Sequence, residues 1–177
     1  VSHATTDALD HYALFGLEPR FALDEAALDR AYRELQSRVH PDRFVAASAP
    51  ERRVAMQWAA RANEAYRTLR APLARAAYLC ERRGAPVQAE SNTAMPPAFL
   101  MQQMQWREAL DEARAAHDQG ALATLRDEVR ERRESTLSEL ARALDAEPDA
   151  ARAAALVREL MFVEKFGQEV AAAHPDH

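Results

Sequence analysis

The chain has 177 residues, 48% hydrophobic but only 7% aromatic, a net charge of −5 and a single cysteine. Its 23 Lys+Arg are interspersed among 28 Asp+Glu, so there is no global basic field and nucleic acid is excluded as the expected partner. Cys80 alone excludes an internal disulfide and a Cys-x-x-Cys zinc site and suits a reducing compartment, while the lack of an apolar run near about 18 residues or of a basic-then-apolar leader excludes a membrane span and signal peptide from expectation and points to the cytoplasm.

Length leaves one domain or two open. The apolar content leans on Ala and Leu with only four Gly, which predicts an almost all-α fold. After a small, polar stretch to about Leu9, Leu14-Phe15-Gly16-Leu17 with Pro19 forms a compact apolar turn, expected to tuck against the helices that follow. Asp24 and Glu25 suit a helix N-terminus. Leu28, Tyr32, Leu35 and Val39 then recur on one face, with Arg30, Arg33 and Arg38 broadly opposite. Pro41 disfavours helical geometry at His40, so this helix is predicted to end near Val39. The stretch Val39-His40-Pro41-Asp42-Arg43-Phe44 thus presents an imidazole, a rigid ring and a carboxylate together.

Pro50 and Glu51 open a second helix, in which Ala55, Ala59, Ala62, Tyr66 and Leu69 form a matching stripe of mostly small residues. Complementary stripes across a loop of about ten residues predict an antiparallel hairpin with the loop at its exposed tip. Pro72 opens a third helical stretch through Leu73, Tyr78 and Leu79, which Gly84 and Pro86 terminate.

An imidazole beside a carboxylate invites an acid/base reading. The motif has no Ser, Cys or Gly-rich cradle to go with it, so no catalytic residue is assigned. Two readings remain: a helix-ending Pro with a capping His, or a rigid recognition knob. In the second, Asp42 engages an Arg of a partner, Pro41 limits the entropy lost on docking, and the Arg face steers toward an acidic surface. The tripeptide recurs as His174-Pro175-Asp176 with nothing helical after it, so three residues alone carry little. In combination, Leu14-Phe15-Gly16-Leu17, the stripe before His40-Pro41-Asp42, Phe44, and Asn63-Glu64-Ala65-Tyr66 with Leu69 resemble the J domain of DnaJ-type co-chaperones over roughly the first seventy to eighty residues. The resemblance implies that His40, Pro41 and Asp42 contact the ATPase region of an Hsp70-class chaperone and stimulate its ATP hydrolysis, with Arg30, Arg33, Arg38 and Arg43 contributing to docking.

From 84 to 97, Pro86, Ser91, Asn92, Pro96 and Pro97 mark a linker, which divides the chain into 1–83, a linker 84–97 and 98–177. Three periodic segments follow, about Pro97 to His117, Ala121 to Asp145 and Asp149 to Ala173, separated by Asp118-Gln119-Gly120 and Glu147-Pro148. Such short breaks predict a three-helix bundle. In the middle segment Leu122, Leu125, Val129, Leu137, Leu140 and Leu144 share an arc. In the last, Leu156, Leu160, Val163, Gly167 and Val170 line one face, and Phe162 lies off it, expected to seal the bundle's edge. The first segment has two apolar faces. Phe99, Trp106, Leu110 and Ala113 make the core stripe, while Leu100, Met101 and Met104 project broadly opposite, continued by Glu108 and Glu112. This second face either packs on the first domain or is a binding surface, for which Met is well suited.

The order of J domain, linker and a helical domain beginning Ala98-Phe99-Leu100-Met101-Gln102-Gln103-Met104, with Trp106-Arg107-Glu108 and Leu110-Asp111-Glu112 after it, resembles the HscB co-chaperone family of iron-sulfur cluster biogenesis. Glu159 to Lys165 is similar to that family's last helix. The resemblance implies a second domain that binds the cluster scaffold IscU and delivers it to the chaperone HscA, with Leu100, Met101, Met104, Gln105, Glu108, Glu112 and Phe162 as the scaffold site. Gln105 stands where related sequences often carry Glu, and Arg43 replaces a commoner Lys. No N-terminal cysteine pair is present, so a bacterial-type member without the zinc-binding extension is expected, with no cofactor, metal, membrane or nucleic-acid partner. Two rivals remain: a J protein serving another client, and a helical-bundle metalloenzyme, against which the sequence has no Glu-x-x-His pair.

Overall fold

The computed structural model describes residues 10–173, so the second His-Pro-Asp copy at 174–176 lies outside the described residues. All regular structure among them is helical, as expected. The elements are α1 (His11–Leu14), α2 (Glu25–Val39), a 3₁₀ turn (Pro41–Phe44), α3 (Ala49–Arg70), α4 (Pro72–Arg82), α5 (Pro97–Ala116), α6 (Gln119–Ala141) continued by a π-helical turn (Arg142–Ala146), and α7 (Ala150–Ala173). The chain forms two compact units that meet in sequence within α4, the first ending at Leu79 and the second starting at Cys80.

In the first unit the apolar turn is tucked in as anticipated, with Phe15 buried, but two further aromatics are as central. Tyr12 is fully buried and its hydroxyl donates to the Arg20 carbonyl at 2.7 Å; Phe21 is buried too, under the Arg75 guanidinium at 5.0 Å. Gly16, at φ +64°, takes the left-handed turn that lets Leu17 N donate back to Tyr12 O at 2.9 Å. The Tyr78 hydroxyl donates to Asp10 Oδ1 at 2.7 Å and accepts the His11 amide at 3.1 Å, and its ring stacks on His11 at 4.4 Å.

The hairpin is α2 and α3. Asp24 caps α2, accepting from Ala27 N at 3.1 Å. Leu28 is fully buried, with Tyr32, Leu35 and Val39 half-buried on the same face. Helix α3 begins one residue before the predicted Pro50 because Ser48 and Glu51 form a capping box, an arrangement worth about 1 kcal/mol. The two helices are locked by Tyr32 and Tyr66, whose rings stack at 4.1 Å. Tyr32 OH donates to Asn63 Oδ1 at 2.6 Å, and Tyr66 OH to Asp29 Oδ1 at 2.9 Å.

The second unit contains the three-helix bundle. His117, at φ +52°, ends α5, and Asp118 caps α6 by accepting from Ala121 N at 2.9 Å. The core gathers Phe99, Trp106 and Leu110 of α5, Leu122, Leu125 and Val129 of α6, and Val163, Phe166 and Val170 of α7. A Cβ on Gly167 would meet Val129 of α6 at 3.4 Å, an ordinary packing distance, so Gly167 sits directly against that helix. Segment 85–96 is pinned to α7, where Arg158 Nη1 donates to the Val87 carbonyl at 2.9 Å.

Burial lowers the His11 pKa from 6.5, against opposing pulls from Glu64 and Asp10 and with a smaller push from Arg61. The unfolded chain therefore binds the proton more readily, and folding stability falls as pH drops through about 6.5. His11→Phe, which keeps the ring stack, should flatten the decline of the urea midpoint between about pH 7.5 and 5.5.

Candidate functional site

The hairpin tip is built by its proline. His40 sits at φ −60°, ψ 135°, the extended geometry demanded before Pro41, and α2 stops at Val39. His40 Nδ1 then accepts the Asp42 amide at 3.3 Å and lies 3.4 Å from Asp42 Oδ2. These contacts are alternatives: a neutral Nδ1 accepts the amide, while a protonated one donates to the carboxylate. Both side chains are exposed, so the ion pair is worth little. The capping reading is thus observed, and capping orients the displayed groups.

Arg30, Arg33, Arg38 and Arg43 are all exposed. Two have helical partners: Arg38 pairs with Glu34, and Arg33 Nε donates to the Asp29 carbonyl at 3.3 Å. Beside the tip, the sequence reading missed exposed Val45, Val54 and Met56. A cleft of about 410 Å³ runs along α3 here, lined by Val39, Pro41, Phe44, Ala55 and Met56 among others. The available signal was that Val54 and Met56 fall off the Ala55, Ala59, Ala62 stripe.

The second unit holds the patch. Phe99, Trp106, Leu110 and Ala113 are buried, and the opposite face is open: Leu100, Met101 and Met104 are 45%, 61% and 72% exposed, with Gln105, Glu108 and Glu112 also exposed. Spacings of three and four residues align Met101, Gln105, Glu108 and Glu112 along α5, with Leu100 and Met104 beside them. Phe162 joins from α7, meeting Phe99 edge-on at 5.8 Å and stacking on Phe166 at 5.8 Å. Its ring seals the bundle's edge and remains partly open, next to Leu100.

Three supports of this patch were not foreseen. Phe166 is fully buried and stacks on Trp106 at 5.5 Å. The Arg107 guanidinium lies 5.1 Å over Phe166 and 5.9 Å over Phe162, held there by both carboxylate oxygens of Glu169. That contact lowers the Glu169 pKa and raises that of Arg107. Underneath, Arg132 lies 4.9 Å over Phe99 and donates to Glu159 at 2.8 Å, and Glu159 is only 2% exposed. Among the described residues, no three His, Cys, Asp or Glu side chains gather as a metal-holding cluster, and no helix is long and apolar enough to cross a membrane.

The chain thus joins a proline-ended helical hairpin displaying His-Pro-Asp to a helical bundle with an open apolar face, and comparison with known proteins places that architecture among the co-chaperones. Residues 95–171 match the family described as HSCB C-terminal oligomerisation domain. The co-chaperone protein HscB homologue of Bordetella pertussis (strain Tohama I) is 59% identical over 169 residues, covering 94% of this chain and 96% of that one, and the homologue of Burkholderia multivorans is 56% identical, covering 92% of each. Chaperone HscB from Vibrio cholerae has a similar structure, with 37% identity, a TM-score of 0.80 and coverage of 92% and 96%; human co-chaperone HscB has 25% identity, a TM-score of 0.86 and coverage of 92% and 81%. The chain belongs to the HscB co-chaperone family.

Removing one member of an ion pair leaves the other unmatched, at a cost that grows with the burial of the survivor. Glu159→Gln leaves Arg132, with 30% of its side chain exposed, and should cost about 2 kcal/mol in urea unfolding, whereas Glu164→Gln, which frees the more exposed Arg133, should cost less than about 1 kcal/mol.

Proposed function

We propose that this chain is a non-enzymatic adaptor in the bacterial cytoplasm. It binds an IscU-type iron-sulfur scaffold protein, delivers it to an Hsp70-class chaperone of the HscA type, and stimulates that chaperone's ATP hydrolysis. The observation that carries the reading is the presence of two exposed surfaces of different chemistry, each on its own unit: the charged tip and the apolar patch with an acidic margin.

At the tip, Asp42 engages an Arg of the ATPase region through a charge-assisted hydrogen bond. Pro41 and the His40 cap hold the turn in place beforehand, which lowers the ordering cost of docking. Arg30, Arg33, Arg38 and Arg43 steer the hairpin toward an acidic surface, with the Arg38 contribution reduced by Glu34. On the bundle, Leu100, Met101, Met104 and Phe162 supply apolar contact, and Glu108 and Glu112 a negative border. Gln105 in that border lowers its charge without removing apolar area. In this division of labour, residues 1–83 serve the chaperone, 98–177 the scaffold, and 84–97 connect them.

His40→Gln should abolish stimulation of the chaperone in a steady-state ATPase assay while leaving scaffold affinity unchanged; retained stimulation would refute the role of the tip. Leu100→Ala, Met101→Ala and Phe162→Ala combined should weaken scaffold binding by about a hundredfold in calorimetry, with stimulation in the absence of scaffold preserved. No measurable binding of the unaltered chain to an IscU-type scaffold would assign the patch to a different client.

A further inference from the structure

We infer that the scaffold site does not end at the patch, but includes a cleft beside it that takes one apolar side chain of the scaffold protein. The inference rests on the reading of Leu100 and Phe162 as scaffold contacts, since both line this cleft. Its other walls are Met161 and Arg158 of α7, Gln103 of α5 and, from the segment between α4 and α5, Ala89, Asn92 and Met95, with the exposed Thr93 beside them.

Several observations converge on an apolar occupant. The cleft holds about 250 Å³ and is lined mainly by apolar atoms, with no carboxylate among its residues. That volume is below the roughly 300 Å³ at which small-molecule pockets begin, and it suits a single side chain. Met161 is 41% exposed, and with Leu100, Met101 and Met104 it makes up the exposed large apolar side chains of the second unit. Leu100 and Phe162 belong to both the patch and the cleft, so the cleft is continuous with the patch through them. Exposed apolar area gathered in this way marks an interaction site, and Met at two walls lets it adapt to the occupant.

The wall is also set in advance. Arg158 pins Val87, the amides of Ser91 and Asn92 both donate to the Gln88 carbonyl at 3.0 and 2.8 Å, and Asn92 Oδ1 accepts the Ala94 amide at 3.2 Å. Met95 packs against the aromatic core. A cleft held open in this way takes a side chain with little further ordering cost.

The test is calorimetric titration of the full chain with purified IscU-type scaffold. Thr93→Trp and Ala89→Leu obstruct the cleft without altering the α5 face, and each should weaken binding by about tenfold; Met161→Ala should do so by a smaller factor. Circular dichroism melting checks that the variants fold. Thr93→Cys, carrying a polarity-sensitive fluorophore on an exposed position, gives a second readout, because Cys80 is buried and does not compete for label. Its emission should shift to the blue when scaffold is added. Wild-type affinity in Thr93→Trp with an unmoved fluorophore, alongside lost binding in the Leu100→Ala, Met101→Ala, Phe162→Ala variant, would overturn the cleft and leave the patch standing. Wild-type affinity in that patch variant would overturn both.

Discussion

Pro41 has no amide hydrogen to give and its ring crowds the residue before it, and the hairpin tip of the first unit follows from these two properties. The residue before it is pushed out of helical geometry, so α2 stops at Val39 and His40 turns extended. An extended His40 brings Nδ1 to the Asp42 amide and starts the 3₁₀ turn. The chain re-enters a helix at Ser48, where a reciprocal side-chain cap takes over, and the returning helix is registered on the outgoing one by the Tyr32–Tyr66 stack. Among the described residues His40 and Asp42 bond to each other within the turn, so the positions of the displayed groups are set by the local backbone.

The second unit solves a different problem. A helix can turn only one face to a three-helix core, and α5 carries apolar residues on two. Phe162 connects them: it belongs to the aromatic run Trp106, Phe166, Phe162, Phe99, yet part of its ring reaches the surface near Leu100. The position of the open patch is thus inherited from the core rather than from contacts in the patch itself. Two guanidinium groups lie on the same run, Arg132 over Phe99, held by the buried Glu159, and Arg107 over Phe166.

Periodic features were readable from the sequence because burial repeats with the helix turn. Stripes on α2, α3 and α5 met the core as expected, and helix ends fell at Pro41, Gly84 and the breaks before α6 and α7. Tyr12 and Phe21 were missed for the converse reason, lying in short or irregular segments with no repeat to reveal them. Nothing in the sequence marked Glu159 for burial, since its partner Arg132, far along the chain, makes that burial tolerable. Phe166 and Ser48 were legible but overlooked. Phe166 is three residues after Val163 and four before Val170, in step with the stripe, and Ser48-Ala49-Pro50-Glu51 spells a capping box. Pro41 marked the tip and helical spacing marked the second face of α5, while the family resemblance supplied their roles and brought Gln105 and Phe162 to the patch; what the structure adds is their exposure and the side chains that hold them.

The five methionines are distributed in a way that bears on chemistry as well as shape. Met56 flanks the tip, Met101, Met104 and Met161 stand open on the bundle, Met95 is half-buried at the cleft, and none is in the fully buried core. Thioether oxidation converts a flexible apolar side chain into a polar sulfoxide. An oxidant would therefore reach the flank of the tip and the open face of the bundle first and make them more polar, while the fully buried core holds no thioether to oxidise. A change of that kind alters the chemistry of the surface and leaves the packing beneath it alone.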